Sequence, residues 1–130
     1  MKLSNIQITN SVPALCRFMA QPISVSASFK LKKLKRELDP IIGMINENIE
    51  ELNERFALRD DKGEKISAVD RAGNTIPGAF AISQDGVDEK SRLDAIVNEV
   101  NVDPIKISDI PSSVLISEVD LETLEWLLVE

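Results

Sequence analysis

The sequence predicts an α+β fold in which helices dominate, and three observations indicate it. Apolar residues recur at intervals of three and four along residues 31–56, the period of an amphipathic helix. Alternating polar and apolar residues bounded by turn formers follow at residues 65–82. Two segments after residue 83 begin with helix-capping residues. At 130 residues we expect a single domain, with a helical part over residues 1–58 and a mixed α/β part over residues 59–130.

The first predicted helix covers residues 4–20, with Ser4 as its N-cap. Pro13 interrupts the pattern, because a proline in a helix interior removes a hydrogen bond and costs about 3 kcal/mol. We therefore expect a kink or turn at residues 11–12, with Pro13 opening a second short helix. Cys16 lies among apolar neighbours, where a lone thiol is expected to be buried as a small hydrophobic side chain.

The long amphipathic helix is predicted to begin within residues 24–28, where several serines can cap it. Asp39 and Pro40 are typical of an N-cap followed by the first helical position. A break there would leave Lys35 and Arg36 in the last turn of the first half, a favourable position in the helix dipole. The apolar spacing keeps its register through Pro40, so we expect one kinked, nearly collinear element, with two helices meeting at Asp39 as the alternative.

The apolar stripe of this helix is the first candidate for a partner-binding surface. Its members, taken together with the one tryptophan, are Leu31, Leu34, Leu38, Ile45, Ile49, Leu52, Phe56 and Trp126. Helices dock onto protein partners through apolar anchors at this spacing. The alternative is that the first helix and Trp126 cover the stripe, so that it forms the core of an ordinary small domain.

A small β region is predicted after the polar turn at residues 59–63. Residues 65–70 alternate as a strand, residues 72–74 supply a turn, and residues 75–82 return as the partner strand. Pro77 restricts the returning strand to a sheet edge.

The remaining segments predict two helices and two short strands. Residues 85–101 have helical spacing with acidic residues in the first turn. Residues 104–108 and 114–116 are expected to form short strands. Ser117 then caps a last helix with a broad apolar face.

Charge divides the chain more strongly than its net value of −7 indicates. Residues 1–36 hold seven basic residues and no acidic one, whereas residues 37–130 hold eight basic and 22 acidic residues. The candidate charged contacts on the long helix are Lys32, Lys33, Arg36, Glu47, Glu51 and Glu54. Two copies packed antiparallel would set the basic group of one against the acidic group of the other, so the expected protein partner is either a second copy or a different protein.

The composition excludes several classes of chemistry. Histidine is absent, which removes the commonest general base, the Ser-His and Cys-His hydrolases and most zinc sites. The glycines are dispersed, and no acidic cluster has the ligand pattern of a calcium loop. The basic run at residues 30–36 has few aromatic stacking partners, so nucleic-acid binding is not expected. We expect no enzymatic activity, no catalytic residue, no metal ion and no cofactor.

The single cysteine indicates a reducing compartment. No window of the sequence reaches the apolar length of a signal-peptide core or a membrane span. We therefore expect a cytoplasmic protein that does not contact a membrane.

The order of five segments resembles a known family. These segments are residues 1–5, 13–15, 26–31, 60–63 and 116–124. Over nearly its whole length the chain resembles an uncharacterised family of short proteins encoded by tailed bacteriophages and prophages. The resemblance implies a phage origin and a setting in the bacterial cytoplasm, with no established activity and no catalytic residues to carry over.

Three functions agree with these expectations. The first is a non-enzymatic phage protein that acts through protein–protein interaction, by its long amphipathic helix and its acidic surface. The second is an inhibitor of a host nuclease or antiviral defence complex, whose acidic surface imitates the phosphates of nucleic acid. The third is a virion component or an assembly protein of the phage tail or head.

Overall fold

A computed structural model describes all residues from Met1 to Glu130, and it confirms an α+β fold in which helices dominate. In chain order the elements are β1 (Lys2–Ser4), α1 (Asn5–Met19), α2 (Val25–Phe56), β2 (Ser67–Val69), β3 (Thr75–Phe80), α3 (Gln84–Asp94), β4 (Val97–Glu99), β5 (Ile105–Lys106), a 3-10 turn (Ile107–Asp109), α4 (Glu118–Thr123) and β6 (Leu128–Val129).

The chain divides into two compact units that interleave in sequence. Met1–Gly43 and Ile96–Glu130 form the first unit, and Met44–Ala95 form the second. The sequence indicated a helical part and a mixed part that meet at residues 58 and 59. The observed division instead assigns the two halves of α2 to different units.

Helix α1 is continuous through Pro13, so this proline does not open a second helix. Ser4 is the N-cap, as expected: its hydroxyl accepts a hydrogen bond from the Gln7 N–H at 3.3 Å, and the Gln7 side chain accepts one from the Ser4 N–H at 2.9 Å. This reciprocal pair is a capping box. Pro13 is exposed, so water can hydrate the backbone carbonyl that lacks its helical donor.

Helix α2 is a single element with Pro40 in its interior, so two separate helices meeting at Asp39 are not observed. The Ser24 hydroxyl accepts a hydrogen bond from the Ala27 N–H at 3.2 Å, which makes Ser24 the N-cap within the expected range. Along the helix, buried positions recur every three or four residues, as the apolar spacing predicts.

The core of the first unit combines α2 leucines with apolar residues of α1 and of the C-terminal segment. Its most deeply buried large side chains are Leu3, Ile8, Phe18, Leu31, Leu34, Leu38, Val100, Ile105, Leu124 and Leu127. Strands β1 and β4 pair antiparallel, and strands β5 and β6 pair parallel. The β1–β4 pairing joins the N-terminal end of the chain to the C-terminal segment beside α1, whereas the β5–β6 pairing lies within the C-terminal segment.

Two expectations for the C-terminal half are wrong. Helix α3 ends at Asp94 rather than continuing to residue 101, and residues Val97–Glu99 instead form β4. Residues 114–116 form no strand, and the partner of β5 is β6. In both cases the pairing partner is remote in sequence, so the local pattern of apolar residues does not reveal it.

The second unit contains the expected hairpin of β2 and β3. It has two turns of the same design: one Oδ1 of Asp60 and one of Asp70 each accept two backbone N–H groups at 2.9–3.0 Å. Gly63 and Gly73 follow three residues later with φ of 78° and 84°, a conformation that glycine adopts without a steric penalty.

A closed cycle of backbone hydrogen bonds connects three short segments of the second unit. Leu58 N–H donates to the Ala81 carbonyl at 2.9 Å, Ala81 N–H to the Ile66 carbonyl at 2.8 Å, and Ile66 N–H to the Leu58 carbonyl at 2.9 Å. The cycle satisfies backbone groups that a two-stranded hairpin alone would leave to water.

Candidate interaction surface

The apolar stripe of α2 lies inside the protein. Leu31, Leu34, Leu38, Ile45 and Leu52 are at most 8% exposed, and Ile49 and Phe56 are half-buried. Their apolar surface is already covered by the chain itself, so these side chains do not form an exposed docking face. Of the two interpretations of the stripe, the structure supports the protein core.

Trp126, the other expected apolar anchor, is half-buried within the first unit. Its indole N–H donates to the Ser11 hydroxyl at 3.2 Å, and that hydroxyl donates to the Gln7 carbonyl at 2.7 Å. Ser11 is only 1% exposed. The indole therefore fastens the turn after α4 to α1, and it is not presented as a free anchor for a partner.

Cys16 is exposed, so the expected burial of its thiol is wrong. Helix α1 buries the face that carries Ile8, Leu15 and Phe18, and Cys16 follows Leu15 by about 100° around the helix. Its side chain lines the edge of a small apolar groove of about 80 Å³ between α1 and the first half of α2.

The side of α2 that faces away from the core carries charge of two signs. Its basic residues lie before Pro40 and its acidic residues after Gly43. The exposed members of these two groups are Lys32, Lys33, Arg36, Glu47, Glu50, Glu51 and Glu54. The expected charged contacts are thus all at the surface, and Glu50 joins them.

Glu54 differs from the other acidic residues because its own unit neutralises it. One carboxylate oxygen lies 2.6 Å from Lys65 Nζ, and the other lies 3.1 Å from Arg59 Nη2. The hydrogen bond from Lys65 lowers the pKa of the Glu54 carboxyl. Glu54 is therefore already paired within its own unit.

Two basic residues of α2 are also paired within the first unit. Lys35 Nζ lies 3.0 Å from Asp39 Oδ2, one helical turn away, and Lys30 Nζ donates to the Pro104 carbonyl at 3.0 Å. After these pairs are removed, six exposed charges remain on the outer side without an ion pair or hydrogen bond in the chain. They are Lys32, Lys33, Arg36, Glu47, Glu50 and Glu51, which we call the α2 charge row.

The basic half of the row borders an open groove in the first unit. Lys33, Arg36 and Glu37 line one wall, and residues 101–103 line the other, around a volume of about 530 Å³. Glu37 and Asp103 place negative charge among the cations. Lys33 Nζ also lies 6.0 Å from the centroid of the exposed Phe29 ring. The surface thus combines both signs of charge with one exposed aromatic ring, a mixture suited to protein contacts.

An ion pair that the sequence did not predict joins α1 to α4. Arg17 Nε donates to Asp120 Oδ2 at 2.8 Å, and Arg17 Nη2 donates to Asp120 Oδ1 at 2.6 Å. The bidentate hydrogen bonding from Arg17 lowers the pKa of the Asp120 carboxyl, although partial burial opposes this shift. Over 100 residues separate the two partners, so only the arrangement of the helices could reveal the pair.

The excess of acidic residues is concentrated in the second unit. Met44–Ala95 holds 12 acidic and seven basic residues, whereas the first unit holds ten acidic and eight basic residues. No group of three or more His, Cys, Asp or Glu side chains is placed to hold a metal ion. None of the helices combines the length and apolar character needed to cross a membrane.

Comparisons with known proteins provide no template for these surfaces. No protein family, no curated protein and no solved structure matches the chain. The α2 charge row groups six exposed charges without an internal ion pair on one side of one helix, and it is the candidate surface for a partner.

Proposed function

We propose that this is a non-enzymatic, phage-derived protein that acts in the host bacterial cytoplasm by binding another protein. The phage origin rests on the resemblance in sequence. The observation that carries the binding proposal is the α2 charge row, six exposed charges with no ion pair or hydrogen bond in the chain.

The long helix contributes to binding through its outer side. Its apolar stripe is buried, so a partner meets the charge row and the exposed Phe29 instead. Complementary charges on a partner speed the encounter and select against partners of the wrong pattern. The row is basic in the N-terminal half of α2 and acidic in the C-terminal half. A partner that fits it therefore carries an acidic group opposite the first half and a basic group opposite the second.

Affinity capture from infected cells, followed by mass spectrometry, tests this function. The wild-type protein is compared with a variant that reverses the basic half of the row, Lys32→Glu with Arg36→Glu. We expect the variant to lose the captured partner, and the wild-type complex to weaken steeply with salt.

The matched control reverses two basic residues in the turns of the second unit, Lys62→Glu with Arg71→Glu. Both side chains are exposed and without an ion pair, and the change in net charge is the same. Equal capture by the wild type and by the row variant would refute the proposed binding surface.

A second candidate function is inhibition of a host nuclease or defence complex by nucleic-acid mimicry. The excess of 12 acidic over seven basic residues in Met44–Ala95 favours it. On this hypothesis duplex DNA displaces the captured partner, and Glu47→Gln with Glu50→Gln and Glu51→Gln weakens capture. Capture that DNA leaves intact would exclude mimicry and retain the first candidate.

A further inference from the structure

We infer that the partner that fits the α2 charge row is a second copy of this chain, packed with the two α2 helices antiparallel. This inference rests on the proposed function, since it names the partner of the same surface. The supporting observation is a symmetry in the spacing of the charges along the row. A contact with an unrelated protein would not require this symmetry.

The row is a palindrome in position and is inverted in charge. The basic residues Lys32, Lys33 and Arg36 are separated by one and then three positions. The acidic residues Glu47, Glu50 and Glu51 are separated by three and then one. The two groups are equidistant from the midpoint between Ile41 and Ile42.

An antiparallel pair of helices with its two-fold axis at this midpoint would match every charge in the row. Lys32 would face Glu51, Lys33 would face Glu50, and Arg36 would face Glu47 of the second copy. In a two-fold interface each contact occurs twice, because a residue that meets a second residue is met by it in return. The row therefore supplies six intermolecular ion pairs from six side chains per copy.

The pairs formed within the chain sharpen the pattern. The charged side chains of α2 that interrupt the palindrome include Lys35, Asp39 and Glu54, and each of these is already in an ion pair within the chain. Lys30 is held by the Pro104 carbonyl. Internal pairing thus occupies four charges that lack a counterpart of opposite sign. Glu37 and Arg55 also lack one and are not in an ion pair, but both lie on the flank of the helix, about 90° from the centre of the row.

The midpoint of the row allows close approach of two helices. Pro40 and Gly43 lie at mirrored positions, and both are exposed. A Cβ atom built at Gly43 would meet nothing within 4 Å, so the surface there is open. At the N-terminal end of the helix, Val25 and Phe29 are 87% and 64% exposed and fall on the same outer side. They provide apolar area beside the ion pairs.

Exposed ion pairs are individually weak and are screened by salt, so the dimer is expected at low ionic strength. Sedimentation velocity of the 130-residue chain at micromolar concentration measures the dimer directly. We expect dimers at low salt and monomers at about 1 M salt, where the Debye length is about 3 Å.

Charge reversal provides the decisive test. Lys32→Glu with Arg36→Glu makes five of the six side chains in the row acidic, and Glu47→Lys with Glu51→Lys makes five of the six basic. Each variant alone is expected to dimerise at least about tenfold more weakly than the wild type. An equimolar mixture of the two is expected to form the heterodimer, because opposite charges again face each other.

The controls carry the same changes of net charge outside the row. Lys62→Glu with Arg71→Glu matches the first variant, and Asp61→Lys with Glu64→Lys matches the second. All four side chains are exposed residues of the hairpin turns, and these controls are expected to dimerise as the wild type does. Circular dichroism of each variant establishes that it is folded.

A wild-type protein that stays monomeric at low salt would overturn the inference, as would reversal variants that form no heterodimer on mixing. The capture experiment separates this failure from failure of the proposed function. If the wild type is a monomer but captures another protein, and reversal of the row abolishes this capture, only self-association is refuted. If the wild type is a monomer and reversal of the row does not affect capture, both self-association and the proposed function of the row are refuted.

Discussion

Single residues of this chain have consequences that depend on what surrounds them, and its helical glycines show this best. Gly86 lies in α3, where a Cβ atom would approach the Phe56 Cβ to 2.6 Å. Gly43 lies inside α2, where a Cβ atom would have open space. The first glycine is required by packing between two helices. Within the chain, no packing contact requires the second, and it weakens the helix that contains it.

Alanine substitution is expected to have opposite effects at these two sites. Gly43→Ala should stabilise the protein by about 0.5–1 kcal/mol, because alanine loses less backbone entropy in a helix. Gly86→Ala should destabilise it by about 1–3 kcal/mol, because Phe56 has to move. Urea unfolding measures both free energies, and a stabilising Gly86→Ala would contradict the packing of Phe56 against α3.

Asp120 is expected to make the stability of the first unit depend on acid pH. Its carboxyl has a lowered pKa in the folded protein, so its stabilising contribution is complete above the unfolded pKa of about 3.9. The contribution is lost as the pH falls through the folded pKa.

The variant Asp120→Asn should reduce the free energy of unfolding at neutral pH and should lose less of it on acidification. Urea unfolding between about pH 2 and pH 7 provides the comparison, with the exposed turn substitution Asp61→Asn as control. Parallel curves for the wild type and Asp120→Asn would show that the ion pair with Arg17 does not contribute.

Among the secondary-structure elements, helix α2 contributes both to the core and to the charged surface. Its inner side supplies buried leucines to the core, and its outer side carries charges of opposite sign in its two halves. Pro40 does not end the helix, because the apolar side keeps its register on both sides of the proline. Burial of that side outweighs the cost of the missing hydrogen bond.

Substitutions on the two sides of α2 should therefore differ sharply. Leu38 is 2% exposed, and Leu38→Ala should cost about 2–5 kcal/mol of unfolding free energy through the cavity it leaves. Glu37 is its exposed neighbour, and Glu37→Ala should change the free energy by less than about 0.5 kcal/mol. A small effect of Leu38→Ala in urea unfolding would show that the stripe is not a packed core.

At the scale of the whole molecule, the two units differ in how much apolar surface they bury. Of the 17 buried hydrophobic residues, only Ile45, Leu52 and Leu93 belong to Met44–Ala95. That unit also holds the larger excess of acidic residues, whose mutual repulsion opposes compaction. Its stability thus depends more on turns and backbone hydrogen bonds than on a core.

The second unit is consequently expected to open at a lower free energy than the first. Native-state hydrogen exchange should show faster exchange at Ile66 and Ala81 in the second unit than at Val100 and Ile105 in the first. All four amides donate backbone hydrogen bonds, so the comparison reports on the units. Equal protection at the four sites would indicate a single cooperative unit.

Features that depend on neighbours along the chain could be predicted from the sequence. Spacing at three and four predicted α2, Ser4 and Ser117 predicted helix starts, and the glycine turns predicted the hairpin. These signals are local, because caps, turns and helical faces involve residues within a few positions of each other. The change from basic to acidic residues between the two halves of α2 is also visible in the sequence.

Contacts between segments that are remote in sequence could not be predicted, and the folded structure reveals them. It buried the stripe, exposed Cys16, paired β4 with β1, and joined Arg17 to Asp120. A periodic pattern shows that a helix has an apolar side but does not show which segment covers it, since the covering residues are remote in sequence. For the same reason the apolar stripe, which the chain covers itself, is not the candidate site. The candidate site is the charge row on the opposite side of the same helix.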